Sequence, residues 1–292
     1  MSKQSQVYLN GEYLPKAEAK VSVDDRGFVL SDGVYEVTPA YWGQLFRLEH
    51  HLARLARNLR EVRIGFEASA LAEVHRRLLT ENGLEDVQMS IVYLQITRGA
   101  APRTHQFPDP AVTPTVYAFA KEFQRSSDEA WGRGFEAITV PDRRWARVDI
   151  KTIGLLPNVL AHQAAVEAGA SDALLVKDGV ALEGAHSNFF VVVDGAVVTH
   201  PTTSAVLPGI TRAFVLELAQ GLGYDAQERP IQIEEVWEAD EAFFTGTTTE
   251  IRPTVKIDGE AIGEGRPGPV TRRLFDAFAL RTSRAGAPAG RA

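Results

Sequence analysis

An α+β fold in two domains is what this 292-residue sequence predicts, and three observations predict it. Short apolar runs joined by Asn-Gly and Asp-Gly dipeptides signal β-hairpins in both halves of the chain. Amphipathic stretches with a three-to-four-residue stripe stand between groups of strands instead of alternating with single strands. The polar, aperiodic stretch Lys121 to Glu129 separates two such groups, so the domains split near residue 125. The expected division is a small N-terminal α/β domain over 1–120, a linker over 121–130, a larger domain over 131–282 and a disordered tail over 283–292, rich in Ala, Gly and Arg.

The elements follow in order. Val7 to Leu14 turns at Asn10-Gly11 into a first hairpin, and a second turns at Gly43 between Val34–Trp42 and Leu45–Leu48. Leu48, Leu52, Leu55, Leu59 and Val62 form the stripe of a helix, and a further helix covers about Ser69 to Glu81. Strands are expected near Val87–Thr97, Thr115–Ala120, Phe135–Val140 and Arg147–Ile153, then a helix near Asn158–Ala168. Hairpins at Asp178-Gly179 and Asp194-Gly195 precede a helix from about Thr211 to Leu222. Strands near Ala242–Thr245 and Thr254–Ile257 and a helix from Pro269 complete the reading.

Composition narrows the function classes. The net charge of -7 argues against a nucleic-acid footprint, which needs a basic face. No apolar run is long enough to span a membrane, and Met1 to Gln6 lacks the apolar segment of a secretory signal. A chain without cysteine has no disulfides, thiolate nucleophiles or Cys-ligated metals. The expected compartment is the cytoplasm. Only seven residues are lysines, so a lysine-dependent mechanism has few candidates.

Lys151 comes first among them. Read as a strand, Trp145 to Ile153 puts Trp145, Arg147, Asp149 and Lys151 on one face and Val148 and Ile150 on the other. The plainer reading is a solvated strand face. Lys177 and Lys256 sit beside Asp-Gly turns and Lys3 is terminal, whereas a rigid, partly desolvated strand suits a Schiff-base lysine.

Two segments can hold a phosphate. Leu207-Pro208-Gly209-Ile210-Thr211-Arg212 leads into a helix whose first N–H groups and dipole favour an anion, and Thr245 to Glu250 is a loop of small hydroxyls. Either can equally be an ordinary cap or turn. Glu183, just past a hairpin, reads as an exposed strand-end carboxylate or as the partner of a cofactor's ring nitrogen. Arg98, Arg103 and His105 share a Pro/Gly-shaped loop, either solvated or able to grip a carboxylate. His50-His51 reads as helix-capping or surface, and the histidines show no metal-ligand spacing. Gly-x-Ser-x-Gly, phosphate-loop and dinucleotide fingerprints are absent.

In their order along the chain these residues resemble the fold-type IV pyridoxal-phosphate (PLP) enzymes, and within them the D-amino acid aminotransferases, from about Val7 to Leu280. The motifs are Asp24-Asp25-Arg26-Gly27-Phe28, Ser31-Asp32-Gly33-Val34-Tyr35-Glu36-Val37, Asp149-Ile150-Lys151, and Glu183-Gly184 followed by Ser187-Asn188. The resemblance implies a barrel-like sheet in a larger, PLP-binding domain, with the site at the domain interface. It implies Lys151 as the Schiff-base and catalytic residue and Glu183 as the partner of the pyridine nitrogen. Arg54, Ile210, Thr211 and Thr247 would hold the phosphate, and Leu207 would pack on the ring. Tyr35, Arg103 and His105 are implied to trap the substrate carboxylate, with Thr248 also at the substrate. Arg103 and His105 would come from the neighbouring subunit of a homodimer.

The implied activity is transfer of an amino group from a D-amino acid to a 2-keto acid in a ping-pong cycle. Branched-chain L-aminotransferases, (R)-selective amine transaminases and aminodeoxychorismate lyase share the cofactor residues and are the enzymatic alternatives. A binding or regulatory module on the same fold is the non-enzymatic one. One departure stands out: Ala185 and His186 occupy positions where the resemblance leads one to expect small hydroxyl residues.

Overall fold

The computed structural model describes residues 5–283. The chain divides into two compact units. Of the described residues, one unit holds 5–124, the short run Ile150–Gly154 and 282–283; the other holds Arg125–Asp149 and Leu155–Arg281.

In the first unit, β1 (Gln6–Leu9) and β2 (Glu12–Pro15) meet at Asn10-Gly11, whose φ angles of 51° and 103° are those a two-residue hairpin turn requires. The short helix α1 (Arg26–Leu30) starts at Asp25, whose carboxylate accepts the Gly27 N–H at 2.8 Å. Five residues carry no periodicity, which is why this helix escapes a pattern search. Strand β3 (Gly33–Tyr41) turns at Trp42-Gly43 into β4 (Gln44–Leu45), a shorter return strand than predicted. Helix α2 (Leu48–Glu61), a 3-10 turn over Ala68–Leu71 and α3 (Ala72–Glu81) follow, then β5 (Met89–Thr97) and β6 (Thr115–Glu122).

The six strands form an antiparallel sheet in the order β2-β1-β6-β5-β3-β4. The leucine stripe of α2 buries Leu48, Leu55 and Leu59, and Leu55 and Leu59 pack with Val34, Val92, Leu94 and Ile96 of the sheet and Leu78 of α3. Each such side chain contributes about 1.5–3 kcal/mol on burial.

The second unit contains α4 (Asp128–Arg133), β7 (Phe135–Pro141), α5 (Leu156–Glu167), β8 (Asp172–Lys177), β9 (Val180–Gly184), β10 (Asn188–Val193) and β11 (Ala196–Thr199). It continues with α6 (Ile210–Gly221), β12 (Ala226–Glu228), β13 (Ile231–Gln232), α7 (Ile233–Glu238), β14 (Glu241–Gly246), β15 (Glu250–Ile257), β16 (Glu260–Ala261) and α8 (Pro269–Thr282). The strands run β10-β14-β15-β7-β8-β9, and β9 pairs back to β10 at Glu183↔Asn188, closing a six-stranded ring. The expected barrel-like sheet is therefore present. Its core holds Phe189, Val191, Phe244, Leu174 and Ala137, while the alternate residues Phe190 and Phe243 stack at 4.9 Å on the opposite face. Burial on both faces explains why β10 and β14 read as continuous apolar runs.

Several expectations need correction. No strand spans Arg147–Ile153: only Thr152 makes an isolated bridge, to Val34. The alternation there reflects an Arg147–Asp149 ion pair at 2.9 Å and a Val148 N–H bond to Ser204, not a ladder. The run Ile150–Gly154 groups with the first unit, whereas the sequence places it in the larger domain. Ile150 buries into the core of the first sheet and helices, which draws the run there.

The polar stretch Lys121–Glu129 is structured at both ends, because β6 continues through Glu122 and α4 begins at Asp128. Lys121 and Glu122 point into solvent while their backbone pairs with Ile91 and Ser90, so their polarity hides the strand. Helices α4 and α7 are too short to show a stripe. The N-terminal residues 1–4 and the tail expected to be disordered, from 284 on, lie outside the described residues.

Candidate active site

In the first unit, Lys151 is held by its backbone against β3. The Tyr35 N–H donates to the Lys151 carbonyl at 3.0 Å and the Ile153 N–H donates to the Gly33 carbonyl at 3.2 Å. These two bonds do the work that the expected strand would have done. The half-buried Lys151 side chain lies over the Tyr35 ring, Nζ to centroid 4.2 Å, a cation–π contact. Tyr35 stacks on Tyr93 (5.7 Å), and Tyr93 stacks on Phe119 (5.2 Å), so the ring beneath the amine is braced by a ladder across three strands. Burial pushes the Tyr93 hydroxyl up to about 12, and it donates to Gln95 at 2.8 Å.

The alternate β3 residues face the helices. Glu36 is buried and accepts from Arg54 twice, Nε to Oε1 at 2.7 Å and Nη2 to Oε2 at 2.8 Å, while His51 Nδ1 lies 2.9 Å from Oε2. Burial alone would raise Glu36, but Arg54 and His51 outweigh it and hold the carboxyl well below the usual range. Burial lowers His51 and takes His75 of α3 down to about 4. His75 bonds the Leu71 carbonyl (2.8 Å) and Thr38 (3.3 Å). The capping-or-surface reading of His51 is thus overturned, because the α2 stripe turns it into the core; His50 beside it is exposed.

The Asp-Asp-Arg-Gly motif anchors the loop after β5. Asp25 accepts from Thr97 (3.0 Å) and Thr115 (2.6 Å), and Arg26 donates to Asp32 (2.8 Å) and to the Thr104 carbonyl (2.7 Å). Arg98 is buried, forked onto Asp32 at 2.7 and 2.9 Å, bonded to the Val62 and Arg63 carbonyls, and stacked on Phe107. Burial pushes Asp32 up, yet Arg98 and Arg26 hold it below its ordinary value. Arg98 therefore serves the scaffold. Arg103 and His105 project from that loop into solvent.

In the second unit, Glu183 is buried at the end of β9. Its oxygens accept from Arg144 Nη1, from Asn188 Nδ2 (2.9 Å) and from the Leu207 N–H (3.1 Å). Arg144 is itself clamped on Asp142 at 2.9 Å. Burial pushes Glu183 up to about 7 against the pull of Arg144. Asn188 also donates to the Leu207 carbonyl at 2.9 Å, so it joins the β9 end to the segment leading into α6. A Cβ on Gly209 would collide with that Asn188 side chain and push it from its place between Glu183 and Leu207. Gly209 leaves the first amides of α6, including Ile210 and Thr211, without intrahelical partners, an anion-binding arrangement. Thr247 and Thr248 form the tip between β14 and β15, and the flanking Thr245 and Thr249 hydroxyls are buried without hydrogen-bond partners among the described residues.

Lys151, Tyr35 and Arg54 thus fall in the first unit, and Glu183, Leu207, Ile210, Thr211, Thr247 and Thr248 in the second. Within the second unit Glu183 and Leu207 are in direct contact. Sequence reasoning gives no site role to Glu36, His51, Arg144 or Asn188, although Glu36 and Asn188 stand inside the motifs that carry the resemblance. Period-two alternation in β3 was the available signal for Glu36, since it places a carboxylate on the core face where it must find a cation.

Comparison with known proteins adds findings of three kinds. The family profile described as Amino-transferase class IV matches residues 33–257. The D-alanine aminotransferase of Staphylococcus haemolyticus is 41% identical over 276 residues, 94% of this chain and 96% of that protein. That of Bacillus licheniformis is 40% identical over 272 residues, 93% and 95% of the two chains. Among solved structures, the branched-chain amino acid aminotransferase of Escherichia coli superposes with a TM-score of 0.89 at 27% identity, covering 99% of this chain and 97% of that one. A T.th. branched-chain amino acid aminotransferase with pyridoxamine 5'-phosphate gives 0.87 at 29% identity, covering 99% and 97%.

Proposed function

The chain belongs to the class IV aminotransferases, and on that footing we propose that it moves the amino group of a D-amino acid to a 2-keto acid. The observation that carries the D-specific reading is the likeness to D-alanine aminotransferases over 94% of the chain, at 41% identity against 27–29% for the branched-chain enzymes.

Pyridoxal 5'-phosphate is the cofactor of this class, and when bound it supplies a carbonyl that condenses with amines and a ring that takes up electrons. The residues present suit it. We assign the Schiff-base bond to Lys151, whose side chain is half-buried over Tyr35 and whose backbone is pinned to β3. The same amine, once released, moves a proton at the substrate α-carbon. We assign Glu183 to keep a proton on the ring nitrogen; burial raises its carboxyl to about 7 even beside Arg144, so a further cationic partner would favour its ionised form. Ile210, Thr211 and Thr247 are assigned to the phosphate with Arg54, which Glu36 orients, and Leu207 to the ring face.

Tyr35, Arg103, His105 and Thr248 are assigned to the substrate. A guanidinium beside an imidazole grips a carboxylate, and the side from which it does so decides which enantiomer offers its α-hydrogen to Lys151. The exposure of Arg103 and His105 suits delivery of both to a neighbouring subunit, so the proposed assembly is a homodimer. No helix among the described residues is long and apolar enough to cross a membrane. The test is a substrate panel on purified protein: D- and L-amino acids and (R)-1-phenylethylamine, with pyruvate and 2-oxoglutarate as acceptors. Turnover of D-alanine or D-glutamate supports the proposal, whereas preference for L-leucine would replace it with the branched-chain reading.

A further inference from the structure

We propose that His162, His186 and Asp172 form a binding site for a divalent transition-metal ion of the Zn2+ class. His162 lies on α5, Asp172 opens β8 and His186 stands in the connection between β9 and β10. Their ligand atoms all lie within 4.8 Å of one another, with His186 Nδ1 4.0 Å from Asp172 Oδ1. The two imidazoles meet edge to face, centroids 4.9 Å apart. Tetrahedral coordination with bonds of about 2.0–2.1 Å needs ligand atoms roughly 3.4 Å apart, so separations of up to 4.8 Å must close by up to about 1.4 Å. His186, with 43% of its side chain exposed, has room to make that movement.

Asp172 does not need to move. It is fully buried, Oδ1 accepts the Ala173 and Ala185 N–H groups at 2.8 and 3.1 Å, and Oδ2 accepts the Ser187 hydroxyl at 2.6 Å. A carboxylate held by such outer partners is a preoriented ligand. A second, independent observation is that His162 Nδ1 is buried with no hydrogen-bond partner among the described residues. A third is His186 itself, which stands where the family resemblance leads one to expect a small hydroxyl, so the cluster belongs to this chain and not to the shared reaction.

Chemistry selects the ion. The chain has no cysteine, and two imidazoles with one carboxylate suit Zn2+, Ni2+ or Cu2+ over Ca2+ and Mg2+. Three protein ligands leave an open position for water. Occupation would tie α5 and β8 to the connection that leads from Glu183 to Asn188, the rung that closes the barrel.

The test uses tag-free holoprotein treated with chelator, titrated with ZnCl2 by calorimetry and with CoCl2 by visible absorption. One Zn2+ per chain, a Co2+ ligand-field band and a higher melting temperature with Zn2+ are expected, with no competition from millimolar Mg2+ or Ca2+. His186→Ser should weaken Zn2+ binding at least tenfold and abolish the Co2+ band, and His162→Gln should do the same. Asp172→Asn is a poorer probe because Asp172 also holds two backbone amides. Absence of saturable Zn2+ binding, or equal affinity in wild type and both histidine variants, overturns the proposal.

Discussion

The Tyr35 N–H donates to the Lys151 carbonyl at 3.0 Å, and the Lys151 Nζ lies 4.2 Å from the centre of the Tyr35 ring. One residue of β3 thus restrains both the backbone and the amine of Lys151. Borohydride reduction of the yellow holoprotein should therefore fix the cofactor on Lys151. A modified lysine resists trypsin, so the label should appear in a peptide spanning residues 148–177. Lys151→Ala should lose transamination. Label at Lys256 or Lys121 would sink the assignment.

Glu183→Gln should leave the ring nitrogen largely unprotonated. The expected outcome is a large fall in kcat with only a modest loss of bound cofactor, because the phosphate contacts carry most of the anchoring. Stopped-flow turnover and cofactor titration separate the two effects. An unchanged kcat would mean that another group serves the nitrogen.

Arg103→Ala should depress kcat/KM for D-alanine and D-glutamate by roughly one to two orders of magnitude, the value of a charge-assisted contact of about 1.5–3 kcal/mol. Activity toward (R)-1-phenylethylamine, which has no carboxylate, should fall much less. The visible spectrum of the holoprotein should barely change. Equal losses on both substrates would point to a role in folding or assembly.

His75 makes stability pH-dependent. Burial lowers it from 6.5 to about 4, so the folded state favours neutral imidazole. Its stabilising contribution is whole above pH 6.5 and falls as the pH drops toward 4, because the unfolded chain takes up the proton first. Between pH 6.5 and 5 the loss is about 2 kcal/mol. Urea unfolding of His75→Gln should show that much less acid sensitivity over the window, while Glu36, held well below the usual carboxylate range, stays ionised throughout it. The same slope in both proteins would show that His75 is not the titrating group.

The elements legible in the sequence are those with local signals. Asn10-Gly11 demands a hairpin because both residues take positive φ, and the leucine spacing from Leu48 demands a helix with one apolar face. The order of motifs around Lys151, Glu183 and Gly209 is legible too, since a family resemblance rests on residue types at fixed places along the chain. Trp145–Ile153 reads as a strand because alternation in a turn looks the same as alternation in a strand. His51 reads as surface because a charged-looking side chain at a helix start says nothing of the strand it will meet.

By itself, then, the sequence determined the α+β class, the helix and hairpin positions and the residue types required for cofactor chemistry, all of which rest on neighbours a few positions apart. Only the tertiary structure decided that Ile150–Gly154 packs with β3, that Glu36 gathers Arg54 and His51, and that Arg144 and Asn188 converge on Glu183. The reason is physical: a buried charge must be paired, and its partner is chosen by which distant segments the core brings together, not by spacing along the chain.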